Sequence, residues 1–283
     1  MDTYEIITNR IITELEHGTV PWMKPWHGTS GAISHITGKP YSLLNQLLLG
    51  EAGEYVTFRQ ATEEGGHVRK GEKARYVCFW KWIENKDEDT GEVTRIPYLR
   101  YYTVFHINQC EGIKPKFIAS LPFHSDLQPV EEAEHIIADY VSRSGVTLTV
   151  KQSNQAYYRP ADDEVVIPLL SQYEDIGEYY STAFHELTHS TGHPSRLNRI
   201  DSVSHFGNAD YSREELVAEL GASYLTNYAG IETGAPIKNS AAYIAGWLKA
   251  LKSDKRFIIS AAGKAEKAVR YILADEEGAD EDV

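Results

Sequence analysis

Phe184-His185-Glu186-Leu187-Thr188-His189 is the stretch on which the reading of this chain turns. A helix carries residues four apart on one face, a turn from each other. Two imidazoles at that spacing can grip one metal ion, and the acid beside the first, Glu186, is placed to take a proton from water. The flanks support the helix: Phe184 and Leu187 give EYYSTAFHELTHSTG an apolar side, and Gly192-His193-Pro194 ends it. The donor set suits Zn2+, and another divalent ion such as Mn2+ fits the same ligands.

The third ligand is sought by elimination. The pattern HExxHxxGxxH fails at its last position, where Ser195 stands. His193 lies too far along: eight helical residues separate it from His185 by about 12 Å, and zinc–nitrogen bonds are about 2 Å long. The next acidic helix, predicted over 212–229, carries Glu214, Glu215 and Glu219. Zincins of the glutamate type draw their third ligand from such a helix, and a carboxylate one turn later orients a histidine. Glu215 is therefore the expected ligand and Glu219 the expected orienting residue, with Glu219 as ligand the alternative. A capping box, Ser212-x-x-Glu215, is the structural alternative for Glu215. The segment AYYRPADDEVVIP, before the motif, reads as the edge strand on which a peptide substrate could add. Its Tyr157 and Tyr158 are read as packing residues, with a phenol near the metal the lesser alternative.

Working outward, the 283 residues suffice for two domains. No apolar run reaches the roughly 18 residues that span a bilayer. MDTYEIITNR has early acids and no apolar core, so no secretory leader is expected. Two cysteines, Cys78 and Cys110, form no CxxC pair and read as buried small hydrophobes in a reducing cytoplasm. The net charge of −13 is uneven: residues 1–125 hold 14 Lys and Arg against 15 Asp and Glu, leaving −12 for the remainder. That acidity argues against nonspecific nucleic-acid binding by the second half. The closing ADEEGADEDV reads as a solvated acidic run.

The first half predicts an α+β unit. Ile6, Ile7, Ile11, Ile12 and Leu15 recur at helical spacing over 3–17. A short helix follows over 41–49, and 55–64 reads as a strand end or a helix start. RYVCFWKWI and RYYTVFHI read as a long hairpin around a polar turn. The Pro-containing stretch 113–129 reads as a linker, which sets a boundary of 1–125 and 126–283 and predicts separable domains. Beyond it come a helix ending at Gly145, TLTVKQ and AYYRPADDEVVIP as two strands, and an α-rich remainder. Single-stranded nucleic acid is held by aromatic platforms and cations. Trp22, Lys24 and Trp26 offer both within five residues. Arg59, Arg69, Lys70, Lys73, Arg75 and Lys81 fall among only three acids, and Trp80 and Trp82 share one strand face.

The assembled motifs resemble the ArdC-type plasmid antirestriction proteins over nearly the whole chain. The marks are GTVPWMKPW, TGKPYSLLNQLLL, VTFRQATEEGGHVRKGEKARYVCFWKW and YYTVFHINQCEGI, then DDEVVIP, YYSTAFHELTHSTGHPSRLNR, EELVAELGASYL and NSAAYIAGWLKALKSD. The resemblance implies an N-terminal domain that binds single-stranded DNA and a C-terminal zincin-like metallopeptidase domain. It places Tyr41 and Asn45 among the DNA contacts; where relatives have Tyr-x-Gly-x-Asn, this chain has Tyr41-Ser-Leu-Leu-Asn45. It further implies protection of DNA entering by conjugation from host restriction, with a host protein as a peptidase substrate. Two other readings keep the same residues: a DNA-binding shield whose metal site is structural, and a DNA-stimulated protease with a repair or regulatory task.

Overall fold

The computed structural model describes residues 3–17, 20, 31–86, 93–117, 129–173, 175–200, 209–231 and 240–275. The chain is a two-domain α+β protein. The N-terminal domain runs α1 (Thr3–Glu16), β1 (Ala32–Ser34), α2 (Leu43–Leu49), β2 (Gly53–Val56), α3 (Phe58–Glu63), β3 (His67–Val68), β4 (Arg75–Lys86), β5 (Val93–His106) and β6 (Cys110–Glu111). Residues 55–64 are both of the alternatives raised above. β2 ends at Val56, and Thr57 then starts α3 with a reciprocal capping box to Gln60. The principal sheet has the order β1-β2-β5-β4, with β1 and β2 parallel and the rest antiparallel.

The C-terminal domain runs α4 (Glu131–Ser144), β7 (Thr147–Lys151), β8 (Tyr157–Arg159), β9 (Glu164–Pro168), α5 (Ile176–Ser190), α6 (Ala209–Tyr228), α7 (Ser240–Ser253) and α8 (Phe257–Leu273). Gly145 closes α4 in the left-handed conformation that glycine adopts without strain. One expectation is corrected here. AYYRPADDEVVIP is not a single strand but a hairpin, β8 and β9, turning through Asp163 at φ 48°. The sheet order is β7-β9-β8, so the strand directly before α5 is central and β8 is the antiparallel edge. The run EVVIP signals this, because Val165, Val166 and Ile167 are all buried, as a strand paired on both sides requires.

The boundary expected near 125 lies among residues 118–128, outside the described residues. Each domain has apolar clusters of its own, and a further cluster is shared between them, which bears on the expectation of independent folding. One apolar cluster joins Ile7, Ile11 and Leu15 of α1 and Leu43, Leu44, Leu47 and Leu48 of α2 to Leu216, Val217 and Leu220 of α6, Trp247 of α7 and Phe257 of α8. Polar contacts reinforce it: the Thr8 hydroxyl donates to the Lys255 carbonyl (2.7 Å), and Lys252 meets Glu16 (2.6 Å). Cys78 and Cys110 are buried and unlinked. Among the described residues, no helix is long and apolar enough to cross a membrane.

A shared core should melt as one. Ile11→Ala is expected to cost about 2–5 kcal/mol and to lower a single calorimetric transition for the whole chain. Two transitions, only one of them shifted, would contradict the common core.

Candidate metal centre

α5 is fixed at both ends before any site chemistry enters. Its N-cap is Asp175, whose carboxylate accepts from the Glu178 amide at 2.8 Å. Tyr180, Ala183, Phe184 and Leu187 are fully buried on one side, which turns His185 and His189 to the other. Beyond the C-terminus, the buried Arg196 guanidinium donates to the Ser190 carbonyl (2.8 Å) and to Asp163 in the β8–β9 turn. Tyr158 donates to the same Asp163 and accepts from Arg196, so it is a packing residue. His193 caps the following turn through Ser195 (2.7 Å).

α6 crosses α5 closely enough for its acids to reach the imidazoles. The contact is Gly221 against Thr188: a Cβ added at Gly221 would lie 2.7 Å from the Thr188 side chain. α6 begins at Ala209, so Ser212 is inside the helix and not at its N-cap position. Glu215 is freed from the capping role considered for it, and its carboxylate sits between the two histidines.

The donors converge. Nε2 of His185 and Nε2 of His189 are 3.1 Å apart. Glu215 lies 3.7 Å from the first through Oε2 and 3.5 Å from the second through Oε1. A tetrahedral ion with bonds of about 2.0–2.1 Å spaces its donors about 3.3 Å apart. Two imidazoles and one carboxylate at these separations fit a single divalent ion, and among the described residues they are the one such cluster of three donors. Behind each histidine stands a further acid: Glu219 at 3.6 Å from Nδ1 of His185, and Glu214 at 3.5 Å from Nδ1 of His189. A carboxylate at Nδ1 favours the tautomer that leaves Nε2 free to ligate. Glu214 is in turn gripped by Arg199 (2.9 Å), which also donates to the Thr188 carbonyl and the Thr191 hydroxyl. Glu186 is buried beside the pair at 9% exposure.

Burial lowers the affinity of both histidines for protons, yet the acids outweigh it. His189 is raised to about 10 by hydrogen bonding to Glu214 and Glu215. His185 is raised by Glu215 and by the charge of Glu219. Burial pushes the Glu215 carboxyl up, but the two imidazoles hold it far below the usual carboxylate range. Glu219 moves the other way, raised by burial with only partial relief from His185. The cluster is thus a pocket of negative charge that holds cations, whether protons on Nε2 or a divalent ion in their place.

The residues expected to contact DNA divide differently. Trp22, Lys24 and Trp26 lie outside the described residues. Arg59 pairs with Glu63 and Arg69 with Glu72, both at 2.7 Å. Lys70, Lys73 and Lys81 are exposed. Tyr41 is half-buried with its ring edge-on to Tyr55, and burial pushes its hydroxyl up. Asn45 is corrected: it is buried, donating to the Cys78 carbonyl (2.8 Å) and accepting from the Cys78 amide (2.7 Å). An amide engaged on both sides inside the protein is a structural clamp between α2 and β4, closed to a base. Trp80 is partly buried against the shared core.

Sequence reasoning missed two groups. The first is the pair Arg199 and Glu214; Arg199 follows the motif helix, but nothing in its spacing links it to an acid fifteen residues on. The second is a strip on one face of the β4–β5 hairpin. Lys81 pairs with Tyr98 and Phe79 with Arg100, and Tyr102 contacts Phe79 at 5.4 Å between ring centres. Arg100 lies over the Tyr98 ring at 5.7 Å. The alternation Tyr98, Arg100, Tyr102 is the period-2 signal that would have found it.

Gly221→Ala tests the helix crossing, because two effects oppose. Replacing a mid-helix glycine ordinarily stabilises by about 0.5–1 kcal/mol. Here overpacking against Thr188 should cost about 1–3 kcal/mol, so a net loss is expected in chemical denaturation. A net gain would mean that α6 does not depend on this approach.

Comparison with known proteins agrees with this geometry. Residues 1–105 match the N-terminal domain of the anti-restriction factor ArdC, and residues 131–264 match a zincin-like metallopeptidase family. The chain is 36% identical over 97% of its length to the DNA primase TraC of Escherichia coli, spanning 27% of that protein. It is 33% identical to the uncharacterized protein y4eC of Sinorhizobium fredii, covering 98% of this chain and 94% of that one. The crystal structure of metal-free ArdC from plasmid R388 superposes with a TM-score of 0.80 at 35% identity, over 96% of this chain and 97% of that one. The Mn(II)-bound form of the same protein gives 0.77 at 34% identity, over 97% and 98%. With both domain types in order and full-length likeness in sequence and structure, the chain belongs to the ArdC antirestriction family.

Proposed function

We propose that this protein protects incoming DNA by combining a single-stranded-DNA-binding domain with a zinc-dependent peptidase centre at His185, His189 and Glu215. The observation that carries the reading is the convergence of two imidazole nitrogens and one carboxylate within 4.8 Å of one another, with Glu186 beside them. A divalent ion in that position supplies Lewis acidity toward a peptide carbonyl and lowers the pKa of water. The protein's own residues do the remainder. Glu186 accepts the proton of the attacking water on its carboxylate and returns it to the leaving amine. Glu219 and Glu214 hold the imidazoles with Nε2 facing inward. The outer edge of β8 offers backbone groups on which an extended peptide adds.

The hairpin strip supports the DNA reading. Tyr98, Tyr102 and Phe79 present rings on which bases of any sequence can stack, interleaved with the cations Arg100 and Lys81. A paired base hides its face, so single strands are favoured over duplex. That one relative is a DNA primase agrees with a DNA-directed role for the region they share. A setting on a plasmid or related mobile element and a cytoplasmic site of action complete the reading.

Three measurements test it. Elemental analysis should find about one zinc per chain, with Glu215→Ala losing more metal than Glu219→Ala, since a ligand outweighs its support; the reverse order would move the ligand role to Glu219. A peptide pool should be cut by the wild type and left intact by Glu186→Ala; equal protection of transferred DNA by both would favour the shield without peptidase action. Tyr98→Ala should weaken binding of a labelled single strand by about 1–3 kcal/mol with little change in thermal stability, and an unchanged affinity would remove the strip from the interface.

A further inference from the structure

Away from the metal centre, a cavity of about 230 Å³ opens between α1, α2 and the start of β4, walled by Arg10, Ile11, Glu14, Leu47, Leu49, Gly50 and Arg75. The two guanidinium groups differ in their surroundings. Arg75 is anchored, donating to the Leu49 carbonyl and to Glu51 at 2.6 Å. Arg10 is half-buried and forms no hydrogen bond or ion pair with any described residue. Desolvation and the neighbouring Arg75 both disfavour its charge, and the attraction of Glu14 only partly compensates. A half-buried guanidinium without a protein partner beside a second cation leaves its donors to solvent or to an anion that enters the cavity.

We propose that this cavity is a phosphate-binding subsite in which Arg10 makes the contact and Arg75 adds charge from its anchored position. A planar guanidinium matches two oxygens of one phosphate group. The volume is below the roughly 300–1,000 Å³ of sites that enclose a whole drug-sized ligand, so the cavity admits one small group. Glu14 at the wall weakens the net field, which makes the site depend on paired hydrogen bonds and favours an oxyanion over a simple halide. The phosphate has two possible sources with the same chemistry: the backbone of a bound DNA strand, or a free phosphate compound. Assignment to the strand rests on the DNA reading above.

The test compares the full-length wild type with Arg10→Gln, using a labelled oligo-dT and inorganic phosphate as separate probes. Without ligand, Arg10→Gln should melt at the wild-type temperature or higher, because a cation that Arg75 repels is removed from the cavity wall. Phosphate should raise the melting temperature of the wild type and not of the variant. If the strand is the source, the variant should bind oligo-dT roughly tenfold more weakly, and its slope of log affinity against log salt should shrink by about 0.7. Loss of the phosphate effect with oligo-dT binding unchanged supports the subsite and assigns it to a free phosphate compound. A variant that melts clearly lower without ligand, or one that matches the wild type with both probes, overturns the subsite, and wild-type binding of oligo-dT would still stand for the DNA reading. If the wild type binds no oligo-dT, the DNA reading fails and the phosphate arm alone decides the subsite.

Discussion

The structure depends on α6 being buried on nearly every side. Leu216, Val217 and Leu220 belong to the core shared with the N-terminal helices, and Ala222 and Leu225 belong to the core beneath α5. On the one face left for polar groups, Glu214, Glu215 and Glu219 meet two histidines. Three acids on a desolvated helix are tolerable only because each is answered by a cation or a hydrogen bond. Arg199 answers Glu214, the imidazoles answer Glu215, and Glu219 is left with the weakest compensation and the raised pKa. The same helix that positions the acids therefore creates the need for positive charge beside them.

Because α6 is held from both domains, its position reports on both. α1 and α2 contribute seven of the side chains that the shared cluster sets against α6, α7 and α8. The strip on the hairpin and the Arg10 cavity belong to the domain that supplies this wall. α1 packs in the same cluster as Leu216 and Val217, which follow Glu215 directly in sequence. Packed aliphatic side chains thus join the ArdC N-terminal domain directly to the zincin-like one.

What could be read in the sequence was whatever one element declares by itself. The 3.6-residue spacing of Ile7, Ile11 and Leu15 gave α1, the aromatic and β-branched runs RYVCFWKWI and RYYTVFHI around a polar turn gave the hairpin, and His185 with His189 gave one face of a helix. Features needing two elements at once were not legible. A shared core cannot be distinguished from two separate ones by periodicity, since Leu44 and Leu216 would be apolar in either case. Asn45 looked available because its family motif is polar, and only the partner strand shows that Cys78 consumes its amide. Arg199 acquires meaning only when α6 is placed beside it. The β8–β9 hairpin was lost because Pro160 to Asp163 makes a tight turn within what reads as one β-rich run.

The Asn45 clamp has a consequence for the protein's behaviour in crowded solution. β4 is twelve residues long and, among the described residues, forms the border of its sheet. A long border strand presents backbone donors and acceptors to any extended chain that drifts alongside, the usual opening for runaway association. By accepting from the Cys78 amide and donating to its carbonyl, the Asn45 side chain imitates the two hydrogen bonds a neighbouring strand would make. One carboxamide thus closes the border where α2 lies against it, and the protein is guarded there against self-assembly by a group that looks like an additional strand but cannot grow into one.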